Sequence, residues 1–89
     1  MKKNTVNSLD VAFNKAFEKA SNTKVSLPPD TMLQLYAYYK QATAGDNSSF
    51  NTNYDVRSAF KFNAWIQMRG MSKEQAKKEY INLVNKIIK

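Results

Sequence analysis

Apolar residues recur at offsets of three and four along four separate stretches of this 89-residue chain. That spacing lays one stripe along a helix. In the first stretch the stripe is Leu9, Ala12, Phe13, Ala16, Phe17 and Ala20. It fades into Ser21-Asn22-Thr23, whose side chains compete for backbone groups and favour turns. Leu27-Pro28-Pro29-Asp30 follows. Paired prolines cannot continue a helix, yet proline suits the first turn of a new one. A second helix is therefore predicted from about Pro29 or Asp30 to Thr43, carrying Met32, Leu33, Leu35, Tyr36 and Tyr39. Gly45 ends it, free to take the left-handed conformation that a helix C-terminus favours.

Asn47 to Asn53 reads as a polar connection around a lone Phe50, leading to a third helix from about Tyr54 to Arg69. The apolar residues of that helix cover more than one face, so it is expected to be central or to line a groove. Gly70 stops it, and Ser72-Lys73-Glu74-Gln75 matches a capping box, with Ser72 as N-cap and Gln75 reaching back. The fourth stripe is Ala76, Tyr80, Leu83, Val84 and Ile87. Only two glycines and two prolines interrupt the chain, so long regular elements are expected. The pattern predicts an all-α bundle of four helices, one domain over residues 1–89, with residues 1–7 a loose N-terminal tail.

Composition narrows the chemistry. Histidine and cysteine are both absent, which removes the commonest general base, the thiolate nucleophile and the usual transition-metal ligands. No carboxylate pair, glycine-rich phosphate loop or nucleophile elbow is present either. A non-enzymatic protein without a cofactor or metal is expected. Fourteen basic residues against seven acidic ones give a net charge of +7, which favours anionic partners. The charges are dispersed, so nucleic acid, an anionic membrane surface and a phosphorylated small molecule all remain open. No apolar core follows the basic N-terminus, and no stretch approaches a transmembrane length, so a cytoplasmic protein without stable membrane insertion is expected.

The octapeptide Tyr36-Ala37-Tyr38-Tyr39-Lys40-Gln41-Ala42-Thr43 is the most informative stretch. At about 100° per residue, Tyr36, Tyr39 and Lys40 share roughly a third of a helix circumference, with Tyr38 turned nearly the opposite way. Burial alone would be served by Leu or Ile, because each buried phenol needs a partner. Tyrosine beside lysine suits a ligand both aromatic and anionic: Tyr36 and Lys40 can reach one phosphate, and Tyr39 offers a flat surface for a purine. The plainer alternative is an amphipathic helix with its phenols at the core rim. Lys61, between Phe60 and Phe62, reads either as a third ligand group or as a lysine snorkelling from a helix edge. Tyr80 and Trp65 read most simply as core-rim and core residues.

Met32-Leu33-x-Leu35-Tyr36-x-x-Tyr39-Lys40-Gln41-Ala42-Thr43-x-Gly45-Asp46 resembles the signature of the acyl-CoA-binding protein family. The likeness continues through Lys61-Phe62-x-Ala64-Trp65, Gly70-Met71-Ser72-Lys73-Glu74-x-Ala76 and Tyr80-Ile81. It covers roughly residues 9 to 88 in the family's order. The resemblance implies an up-down-down-up four-helix bundle that holds a medium- to long-chain fatty acyl-CoA non-covalently and carries it inside the cell. It also implies that Tyr36 and Lys40 meet the 3′-phosphate of CoA, that Tyr39 packs on the adenine, that Lys61 serves the nucleotide phosphates, and that Tyr80 lies at the ligand. Phe13, Ala16, Phe17, Met32 and Leu33 would shelter the acyl chain. A ligand-free monomer that hands its cargo to acyl-CoA-using enzymes would follow.

Several positions depart from the family pattern. A basic residue late in the first helix is replaced by Ser21 or supplied from nearby Lys24, Phe17 replaces a small residue, and Phe62 replaces a frequent tryptophan. The connection before the third helix is slightly short and lacks a proline. Phe17 bears on the shape of the acyl channel. Two other classes stand beside the carrier reading: a small basic helical nucleic-acid-binding module, which would show a steep salt dependence, and a protein-interaction bundle using exposed aromatics.

Overall fold

The computed structural model describes residues 8–46 and 56–88. The expected N-terminal tail, the connection around Phe50, and Tyr54 at the expected start of the third helix lie outside these residues. Among the described residues there are four helices and no strand: α1 Ser8–Asn22, α2 Pro29–Ala44, α3 Val56–Ile66 and α4 Lys73–Ile87.

Local chemistry accounts for the ends of these helices. Pro29 opens α2 at its first position, where its missing N–H costs nothing. Gly45 closes it with φ 82°, and the Gly45 N–H bonds to the Gln41 carbonyl at 3.1 Å. Only glycine takes that φ without strain, and a Cβ there would come within 3.3 Å of Lys73 Cε. The third helix ends earlier than its apolar pattern predicts. After Ile66 the backbone tightens into i→i+3 bonds, from Met68 N to Trp65 O and from Arg69 N to Ile66 O, before Gly70 turns it at φ 95°.

The Ser72 side chain caps α4 by accepting from Gln75 N at 3.0 Å. Gln75 does not reach back as expected; its amide donates to Glu79 Oε2 at 2.7 Å, one turn further on. A charged acceptor at i+4 competes for the same amide, so only half of the capping box forms.

The side-chain pairs set the helix directions. Asp10 meets Lys77 at 2.5 Å, Phe13 meets Tyr80 and Lys19 meets Asn85, so α1 and α4 run parallel. Lys61 lies against Tyr36 and Lys40 against Trp65, so α2 and α3 also run parallel. Gln41 near the end of α2 bonds to Met71 just before α4, while Gln34 and Tyr38 lie beside Asn82, Leu83 and Lys86; these two helices are antiparallel. The result is an up-down-down-up bundle. Its core joins Phe13 and Ala16 of α1, Leu35 and Ala42 of α2, and Ala76, Tyr80 and Val84 of α4, closed by Ile88. Among the described residues no α3 side chain belongs to that core, and α2 is the only helix that α3 packs against. The α2–α3 seam therefore stands apart from the core.

Candidate functional site

The second helix presents a different neighbour to each of its tyrosines. Tyr36 and Lys40, one turn apart, face α3. The Lys61 ammonium lies 5.3 Å from the Tyr36 ring centre, and the Lys40 ammonium lies 4.9 Å from the Trp65 ring centre. Both distances are within range for attraction of a cation to an aromatic face, worth about 0.5–1 kcal/mol where water has access. Two positive charges are thereby held along one seam, each on an aromatic platform.

Tyr39 is rotated by about 60° from Tyr36 around the helix, and that rotation turns it to a different side. It stacks on Phe17 at 4.9 Å and on Phe13 at 5.7 Å, and meets Tyr80 at 6.1 Å. This four-ring cluster bridges α1, α2 and α4. Although no close approach of the α1 and α2 backbones occurs, their aromatic side chains span the space between them. Tyr80 is almost fully buried here. Burial, helped by the neighbouring Tyr39, pushes its phenol up to about 12.

A polar latch fixes α3 to α2. The Gln41 side chain is fully buried; its amide nitrogen donates to Asp46 Oδ1 at 2.8 Å and to the Met71 carbonyl at 2.7 Å. The same Asp46 oxygen accepts from Gly70 N at 2.9 Å, and Trp65 Nε1 donates to the Gly45 carbonyl at 2.9 Å. The Gly70 N–H and the Gln41 amide hold the Asp46 carboxyl below its ordinary value. These bonds tie the end of α2 to both sides of the α3–α4 turn and set the indole under Lys40. The stretch Gln41 to Asp46 thus works as a fastener, with Lys40 and Trp65 its outward products.

An open groove of about 550 Å³ runs along the seam, lined by Pro29, Met32, Leu33, Tyr36, Phe60 and Lys61. The seven helical steps from Pro29 to Tyr36 span about 10 Å. One end of the groove is therefore cationic and aromatic, and the other apolar. Of the residues singled out from the sequence, Tyr36, Lys61, Met32 and Leu33 line this groove, with Lys40 one turn beyond. Tyr39, Tyr80 and Phe17 form the adjoining aromatic cluster, Phe17 being substantially exposed. Phe13, the fourth ring of that cluster, and Ala16 are buried in the core.

Sequence reasoning missed Trp65 as the partner of Lys40, Gln41 as a buried fastener, and Phe60 as a groove wall. A common offset of 25 links Tyr36 to Lys61 and Lys40 to Trp65, but it becomes a signal only once α2 and α3 are known to be parallel. No helix among the described residues is long and apolar enough to cross a membrane.

The family model described as "Acyl CoA binding protein" matches residues 10–84. The acyl-CoA-binding protein of Saccharomyces cerevisiae is 40% identical over 77 residues, 81% of this chain and 88% of the relative. The acyl-CoA-binding protein homolog of Manduca sexta is 43% identical over 84 residues, 91% of this chain and 92% of the relative. Among solved structures, the crystal structure of Oryza sativa acyl-CoA-binding protein 2 superposes with a TM-score of 0.83 at 31% identity, covering 89% of each chain.

Proposed function

Because this chain belongs to the acyl-CoA-binding protein family, we propose that it binds medium- to long-chain fatty acyl-CoA esters non-covalently and carries them, making and breaking no bond. The observation that carries this reading is the seam itself: two ammonium groups on aromatic platforms at one end of an apolar groove. An acyl-CoA has the matching polarity, with an anionic aromatic nucleotide at one end and an alkyl chain at the other.

In this reading Lys40 and the Tyr36 hydroxyl bind the 3′-phosphate of CoA, where charge-assisted bonds fix orientation. Lys61 serves the remaining phosphates and the adenine region. Tyr39 offers its ring edge to the adenine from the cluster held by Tyr80. Met32 and Leu33 take the first part of the acyl chain, with Phe17 available beyond Tyr39; Phe13 and Ala16 support that surface from beneath. Each methylene buried contributes about 0.8 kcal/mol, so affinity grows with chain length while the groove has room. Covering the chain keeps a detergent-like metabolite dispersed. Residues 1–89 act as one domain, a cytoplasmic monomer when ligand-free, handing its cargo to acyl-CoA-using enzymes. The nucleic-acid reading gains nothing from the fold, because the two lysines at the seam face aromatic rings rather than forming a continuous basic surface.

Calorimetric titration with a C16 acyl-CoA, kept below its micelle concentration, tests the proposal. Saturable binding in the micromolar range or tighter, with far weaker binding of CoA alone, is expected. Absence of saturation with the acylated ligand would overturn it.

A further inference from the structure

The seam between α2 and α3 carries a groove on each side. The first, described above, runs past Tyr36 and Lys61. The second, of about 430 Å³, lies on the opposite flank, where Gln34 and Ala37 of α2 face Ala64, Gln67 and Met68. Two residues line both grooves: Leu33 and Phe60. Leu33 is partly buried in the seam. Phe60 is not: it stands 56% exposed, while Lys61 and Phe62 beside it are more covered. A phenyl ring raised over the seam is therefore what separates one groove from the other.

We propose that Phe60 sets the acyl-chain length that this protein accepts, by walling the groove beside Tyr36 and Lys61 off from the groove on the far flank of α2 and α3. The proposal rests on the acyl-CoA reading and deepens it. An alkyl chain entering from the cationic end fills the first groove along Met32 and Leu33, and its methylenes cover one face of the Phe60 ring. Further carbons must climb over that ring. Beyond it Ala37, Ala64 and Met68 offer further apolar lining, but carbons crossing the top of an exposed ring stay in water and gain little while the ring stands. Affinity should therefore rise by about fourfold per methylene and then level where the chain reaches Phe60. Replacing the ring by a methyl group removes the wall, keeps Leu33 as a common floor, and joins the two spaces. Because Phe60 is exposed and lies outside the core, its truncation should leave the bundle folded.

The test is a series of saturated acyl-CoA esters of increasing length, titrated by calorimetry into wild-type protein, Phe60→Ala and Phe60→Leu. Circular dichroism checks that each variant keeps its helices. The expected result is a levelling length that moves to longer chains in Phe60→Ala, with Phe60→Leu between, while the affinity for CoA without an acyl group is unchanged. An identical levelling length in all three proteins, or an equal loss at every chain length, would overturn the role of Phe60 and leave the carrier reading intact. A wild-type protein that binds no member of the series would overturn the carrier reading, and this proposal with it.

Discussion

Replacing Lys40 with alanine removes an ammonium that the protein holds 4.9 Å from the centre of the Trp65 ring. Two opposing contributions decide the size of the effect on binding. A charge-assisted contact with the 3′-phosphate is worth about 1.5–3 kcal/mol. If the phosphate draws the ammonium away from the indole, about 0.5–1 kcal/mol of cation–π attraction is given up in return. The net contribution is then about 0.5–2.5 kcal/mol, and Lys40→Ala should raise the dissociation constant by roughly two- to seventyfold. The decisive assay is a cycle of two proteins and two ligands. Wild type and Lys40→Ala are each titrated by calorimetry with a C16 acyl-CoA and with the same ester lacking its 3′-phosphate. The loss should appear with the complete ligand. With the truncated ligand the two proteins should agree within about 0.5 kcal/mol, the usual scatter for uncoupled changes. Equal losses with both ligands would refute the assignment of Lys40 to the 3′-phosphate, because the missing charge would then be acting elsewhere.

Two predictions concern the groups that frame the site. The Tyr80 phenol ionises at about 10 in the unfolded chain and at about 12 in the folded protein, so its contribution to stability is complete below pH 10 and is lost as pH rises towards 12. At about 1.4 kcal/mol per pH unit, the loss approaches 3 kcal/mol; urea unfolding from pH 9 to 11.5 should fall more steeply for wild type than for Tyr80→Phe, and parallel profiles would refute the burial argument. The Asp46 carboxyl, held low by Gly70 N–H and the Gln41 amide, has the opposite sign: its contribution is present above the ordinary carboxylate range and is lost as pH falls through the lowered value. Asp46→Asn should be less stable than wild type at neutral pH, and should lose less on acidification, as read from thermal melts between pH 7 and pH 2.

Much of this architecture is local, and local features are legible in the sequence. The 3.6-residue stripes mark α1, α2 and α4 because burial of one face is imposed by helical geometry alone. Gly45 and Ser72 mark ends because a positive φ and an orphan N–H need particular residue types at particular positions. The run from Tyr36 to Asp46 identifies the family for the same reason: its spacing survives without knowledge of what lies opposite.

What lies opposite is non-local, and only packing decides it. Tyr36, Tyr39 and Lys40 share a third of a helix in sequence terms, yet α3 takes two of them and the α1–α4 cluster takes the third, since three helices compete for that arc. Gln41 is one more polar residue until the α3–α4 turn brings the Met71 carbonyl to its amide, and the Gly70 N–H to the neighbouring Asp46 carboxylate. Phe60 belongs to an aromatic run until the parallel docking of α3 on α2 raises it between two grooves. Periodicity records how each helix is wound. The site depends on which helices meet and in which direction, and those contacts join residues far apart in the chain.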